Sequence, residues 1–260
     1  MLQSAARQDG GASSSKRRNT RFLKYSLAKA SNGAVTVTYA AEYVVPLATF
    51  TNAAGNTRVA AQSEIHYISD TQFLVLGRDS SVGRGQVDPV SLYRHVDIVD
   101  ISSATNIKGP QFDDIQNGNI TSGGIEKAGK CYLHIRRTVI PKPQADLYAA
   151  DKLVAGITPA TFCPYIDYNI NTELGKFKTA EGDAVHNGAP VNFGLLNEKW
   201  EALALVPVYP ELKGKGKGKV SKGCAAVEDE YYLITLSDND FITDNGTSRA
   251  LFTNQNHVHR

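Results

Sequence analysis

Apolar residues in this chain seldom recur at helical spacing. Short runs rich in β-branched and aromatic residues follow one another instead, each bounded by Gly, Asn, Asp, Ser or Pro. A chain patterned this way buries its apolar surface with strands. The clearest runs cover residues 20–27, 35–45, 62–67, 72–77, 95–100, 200–207 and 231–237, each of strand length. Over 90–99, Leu92, His95, Val96 and Val99 could also line one helical face, and a strand is the preferred reading. The expectation is an all-β fold. With 260 residues, 42% of them hydrophobic, a sizeable core is within reach. No run approaches the ~18 uninterrupted apolar residues of a membrane span, and a formal charge of +2 is too small to attract phosphate backbones in general.

The pattern is interrupted over 8–19, 109–129 and 213–222. The last of these alternates Gly and Lys, but Lys219 is followed by Val220 rather than Ser or Thr, so it reads as a solvated loop and not a phosphate cradle. The Gly83, Arg84, Gly85 turn opens no helix pattern and is no dinucleotide fingerprint. Cys131, Cys163 and Cys224 lack metal-ligand spacing and allow at most one bridge. The first nine residues lack the basic start and apolar run of a secretory leader. Asn-x-Thr triplets at 119–121 and 245–247 would accept glycans in a secreted chain.

Two stretches share one grammar. In the first, Gln62, Ser63, Glu64, Ile65 and His66 open a strand, and Phe73 to Gly77 forms a second strand ending at Arg78 and Asp79. In the other, Lys199, Trp200, Glu201, Ala202 and Leu203 open a strand, and a second one ends at Ser237 and Asp238. An acid sits early in each first strand and another just past each second strand. Repeated hairpins without intervening helices suit β-propeller blades, in which acids near inner-strand ends would converge. The Glu64 to Glu201 interval would hold about three blades at the usual repeat length. A β-sandwich also explains strands and turns, but not the recurrent acids.

The run over 62–79, the run Leu-Leu-Asn-Glu-Lys-Trp-Glu-Ala-Leu-Ala-Leu-Val-Pro over 195–207, and Ser-Asp-Asn-Asp-Phe-Ile-Thr over 237–243 resemble the phytase-like (esterase-like activity of phytase) domain proteins, most closely the fungal branch. Weaker matches lie over 1–11, 91–107 and 163–177. The resemblance implies a partial propeller domain over 1–246, an incomplete ring of about three to four four-stranded blades. Residues 121–153 have no counterpart and read as an insertion, and 247–260 reads as an atypical tail without a closing apolar strand. The expectation is that the chain starts in mid-unit, as an incomplete or misassembled gene product without the family's upstream blades and leader would. An open arc would associate with itself through unprotected sheet edges. The family implies secretion and a phosphoric ester hydrolase role.

For that chemistry the matching polar residues are Glu64, His66, Arg78, Asp79, Glu198, Lys199, Glu201, Asp238 and Asp240. Glu64, Glu201 and His66 are the expected catalytic groups, and Arg78 and Lys199 the expected phosphate holders. Glu64, Asp79, Glu198, Glu201, Asp238 and Asp240 would ligate a calcium ion. The blander readings are definite too. Asp238 to Asp240 can be an Asx turn, Asp79 beside Arg78 a turn cap or ion pair, His66 a packing residue, and Trp200 core. Glu64 and Glu201 interrupt apolar strand starts, where a buried charge needs a partner. No Gly-x-Ser-x-Gly elbow supports a serine esterase, and the separation a glycosidase needs between paired carboxylates is not legible in sequence. The alternative to catalysis is a secreted propeller that only binds a ligand, glycan or protein, or an inactive fragment.

Overall fold

The computed structural model describes residues 1–9, 11, 17–113, 153–197, 199–208, 230–238 and 256–259. Nearly all of the expected insertion, the Gly-Lys loop, both glycan triplets, Cys131 and Cys224 lie outside these residues, whereas Cys163 carries a free, exposed thiol. Strands dominate the regular elements of the described residues: β1 (Asn19–Lys29), β2 (Val35–Pro46), β3 (Thr49–Thr51), β4 (Thr57–Val59), β5 (Ala61–Tyr67), β6 (Gln72–Arg78), β7 (Arg94–Asp100), β8 (Thr161–Asp167), β9 (Lys199–Pro207), β10 (Glu230–Asp238) and β11 (Asn256–His259). Two single-turn helices, α1 (Pro110–Asp113) and α2 (Asn171–Leu174), complete the regular elements beside one short 3-10 turn. The all-β expectation holds. Among these residues no helix is long and apolar enough to cross a membrane.

The strands form small sheets, ordered β1-β2, β3-β4, β5-β6-β7-β8 and β11-β10-β9. Every run read as a strand from sequence is one, and the ambiguous stretch resolves as β7. The tail differs from expectation, because Asn256–His259 pairs antiparallel with β10 through Leu233, Tyr232, Tyr231 and Glu230. Main-chain pairing to an open edge needs little apolar content, which is why this segment does not read as a strand.

The chain divides into two compact units. The first comprises Met1–Gln62, Tyr67–Gly77 and Val96–Ile166. Its centre is β6, whose Phe-Leu-Val-Leu run is buried without alternation, as expected of a strand covered on both faces. Phe22 of β1 packs on Phe73 with ring centroids 4.6 Å apart. Val44, Ile107, Phe112 and Ile157 form a second apolar cluster, joined by Leu153 and Val154. At the foot of β1, Arg21 grips the fully buried Asp9 with two nitrogens, at 2.6 and 2.8 Å, and reaches Glu42 at 3.1 Å. The Tyr39 hydroxyl donates to the other Glu42 oxygen. Burial disfavours the Arg21 charge, yet the hydrogen bonds and charges of Asp9 and Glu42 together hold its pKa above the ordinary arginine value.

Away from that foot the β1-β2 hairpin emerges into solvent. Tyr25 pairs with Tyr39 and Leu27 with Val37 on one face, while Ser26 opposes Thr38 on the other. Leu27 is 72% exposed and Val37 61%. Its turn needs Gly33, which sits at φ 85°, a conformation other L-residues rarely adopt.

Candidate functional site

The second unit comprises Ser63–His66, Arg78–His95 and Asp167–Arg260, and it holds every expected site residue that is described. Its anchor is Trp200, buried near the start of β9 with its ring 4.6 Å from that of Tyr168 and the Arg94 guanidinium 5.6 Å from its centroid. The Ser63 hydroxyl donates to the Trp200 carbonyl at 2.6 Å, so the first strands of the two similar hairpins touch directly. Glu64 and Glu201 each follow one of these two residues in sequence.

Glu201 owes its direction to a bulge. Leu236 pairs with Ala202 and Ser237 with Trp200, which leaves Glu201 as the extra residue of β9. A bulged residue loses its ladder partner and its side chain is re-aimed. Here it is turned outward: the Glu201 side chain is 42% exposed and its Oε1 accepts from Arg78 Nη2 at 2.9 Å. The expectation of a buried glutamate is corrected at this position, although the partner it called for is present. Arg78 itself is 8% exposed. Its Nη1 donates to the Asp79 carbonyl at 3.2 Å, and its Nε is buried without a hydrogen-bond partner among the described residues.

Asp79 serves the turn that follows β6. One carboxylate oxygen accepts from the Ser91 hydroxyl at 2.8 Å, and the other from the backbone N–H groups of Leu92 and Tyr93 at 2.6 and 3.3 Å. Ser91 is held in turn by Asn169 and Asn187, whose side-chain amides both donate to its carbonyl. These contacts match the turn-cap reading of Asp79.

Glu64 and His66 are both partly buried on β5, two residues apart and therefore on one face of the strand. Neither side chain makes a hydrogen bond or ion pair with another described residue. Lys199 opens β9 opposite Asp238, the last residue of β10. The Asp238 side chain, Glu198 and Asp240 lie outside the described residues. Among the described residues no three His, Cys, Asp or Glu side chains gather as a metal site. Asp79 is occupied by three donors and Glu201 by Arg78, and the side chains of three of the six expected calcium ligands, Glu198, Asp238 and Asp240, lie outside the described residues.

The pairing of His95 Nε2 with Asp167 Oδ1 at 3.4 Å was not legible from sequence. The His95 ring lies flat on Tyr93, with centroids 4.1 Å apart and planes 10° from parallel. Its partner stands at the end of β8, a strand with no clear signal, so no local spacing links the two. His186 has a loop role: its ring nitrogens contact the Gly188 carbonyl at 2.9 Å and Asn192 Oδ1 at 2.7 Å.

No family model matches the chain, and no solved structure does. Over 257 residues the chain is 37% identical to an uncharacterized secreted protein of Arthroderma benhamiae, in an alignment covering 96% of this chain and 41% of that protein. The chain thus spans less than half the length of this relative.

Proposed function

We propose that the chain is part of a secreted, phytase-like β-propeller protein that hydrolyses phosphoric esters, with its reaction centre where β5 and β9 meet. One observation carries the reading: the Ser63 to Trp200 hydrogen bond joins the first strands of two hairpins of the same design, beside a buried arginine. The sequential order β5-β6-β7-β8 is that of a propeller blade, and β9-β10-β11 follows the same plan. Secretion is supported by the relative from Arthroderma benhamiae, itself a secreted protein.

In this reading Arg78 holds phosphate oxygens and Lys199 adds a point charge. Glu64 takes a proton from the attacking water as its oxygen bonds to phosphorus. The ester P–O bond breaks, and His66 returns a proton to the leaving oxygen. No step is routed through calcium. Assaying with and without a chelator tests whether the expected ion is needed. Phosphate release from phytate and p-nitrophenyl phosphate by the 260-residue protein is the direct test. Glu64→Gln should lower turnover by about 100-fold or more, and equal turnover in both proteins contradicts the assignment.

A second reading is a propeller that binds a ligand without converting it, favoured by the engagement of Asp79 and Glu201 in contacts within the unit. Self-association belongs to the proposal as well. Among the described residues no third strand joins the β1-β2 hairpin, and Leu27 and Val37 in its outer half face solvent. Light scattering over a range of concentrations tests this, a constant monomer mass contradicting it.

A further inference from the structure

We infer that Glu201 is a displaceable internal counter-ion of Arg78, and that an oxyanion of the phosphate class takes its place on the guanidinium. The inference rests on the reading of Arg78 as a phosphate holder and changes the role of Glu201 from catalytic group to gate.

The contact geometry is that of a half-used fork. In a guanidinium, Nε and Nη2 share one edge, and a two-oxygen anion arriving edge-on takes both N–H groups. Glu201 occupies only Nη2, at 2.9 Å, while Nε on the same edge is buried with no partner among the described residues. Nη1, at the far side, is held by the Asp79 carbonyl and fixes the plane of the group. The arginine is thus oriented, nine-tenths buried and half-satisfied. An unpaired buried donor is costly, so an anion able to use the whole edge has an advantage over a monodentate one.

The two partners differ in mobility. Arg78 is packed and held at Nη1, whereas the Glu201 side chain is 42% exposed and grows from the unpaired residue of a bulge. Leaving Arg78 returns a carboxylate to water and breaks no ladder hydrogen bond. A tetrahedral oxyanion arriving at the same edge would replace one contact with two and keep the buried cation neutralised. Glu201 then acts as a filter: neutral ligands cannot displace it, and anions that offer a single oxygen gain little by doing so.

Inorganic phosphate is the probe, titrated calorimetrically into the wild-type chain, Glu201→Gln, Glu201→Asp, and Glu201→Gln combined with Arg78→Lys. Removing the carboxylate, or drawing it back by one methylene, should tighten phosphate binding at least ~10-fold by freeing the edge. The lysine variant should lose that gain, because a point charge offers no fork. Phosphate binding no tighter in either Glu201 variant than in wild type overturns the inference, as does a gain that survives Arg78→Lys. Ester hydrolysis by the same proteins is read separately. Tighter binding without turnover sustains the counter-ion and sinks the hydrolase reading, whereas turnover with unchanged binding does the reverse.

Discussion

At the scale of single residues, the acids expected to act together do three different things. Asp79 accepts from three donors in the turn after β6, Glu201 neutralises Arg78, and Glu64 is partly buried on β5 with no described partner. Residue type and position were legible, because an acid in or beside an apolar strand needs a partner. Which partner it finds was not, since Arg78 and Glu201 lie more than a hundred positions apart and a bulge decides the direction of Glu201. Asp79→Ala should cost about 2–4 kcal/mol of unfolding free energy by orphaning buried donors, read in urea denaturation; an unchanged midpoint would return Asp79 to the candidate ligands. Arg21→Ala should cost about 3–5 kcal/mol, because it leaves the buried Asp9 charge without its two-pronged partner. A loss under 1 kcal/mol in the same measurement would mean that Asp9 is compensated by other groups.

At the scale of elements, strands with strong side-chain signals were readable and those carried by main-chain pairing were not. The Phe-Leu-Val-Leu run of β6 reads as a strand, and the structure buries it without alternation. β8 was missed because Pro164 interrupts it. A proline is tolerated there because β8 lies at the edge of its sheet, where a missing N–H breaks no inner ladder. β3 and β4 are only three residues each, too short for periodicity to register. The β6-β7 pair is tied at one end by Asp100, which accepts from Gln72 Nε2 at 3.0 Å and from the Ser102 N–H at 2.7 Å. Hydrogen bonds from Ser102 and Gln72 lower the Asp100 pKa. A depressed folded-state carboxyl contributes stability that is present above its unfolded value and lost as pH falls through the folded one. Stability should therefore fall less steeply below about pH 4 in Asp100→Asn than in wild type, as measured by urea midpoints across that range; parallel profiles would contradict the tie. Phe22→Ala should cost about 3–5 kcal/mol by opening a cavity against Phe73.

At the scale of the whole molecule, the functional account depends on two distant hairpins delivering their first strands to one place. The sequence repeat led to the expectation that the two glutamates converge, and the Ser63 to Trp200 contact joins the two strands that carry them. Because Glu64 and Glu201 each follow a member of that contact, their Cα atoms are at most about 15 Å apart by chain geometry. The most direct test replaces both by cysteine, with Cys131, Cys163 and Cys224 changed to serine, and treats the protein with a short bismaleimide. The account predicts efficient cross-linking within single chains, which appears as an intact-mass gain of one linker bridging the two positions. Separate labelling of both cysteines with no bridge formed would place the two strands apart and contradict it.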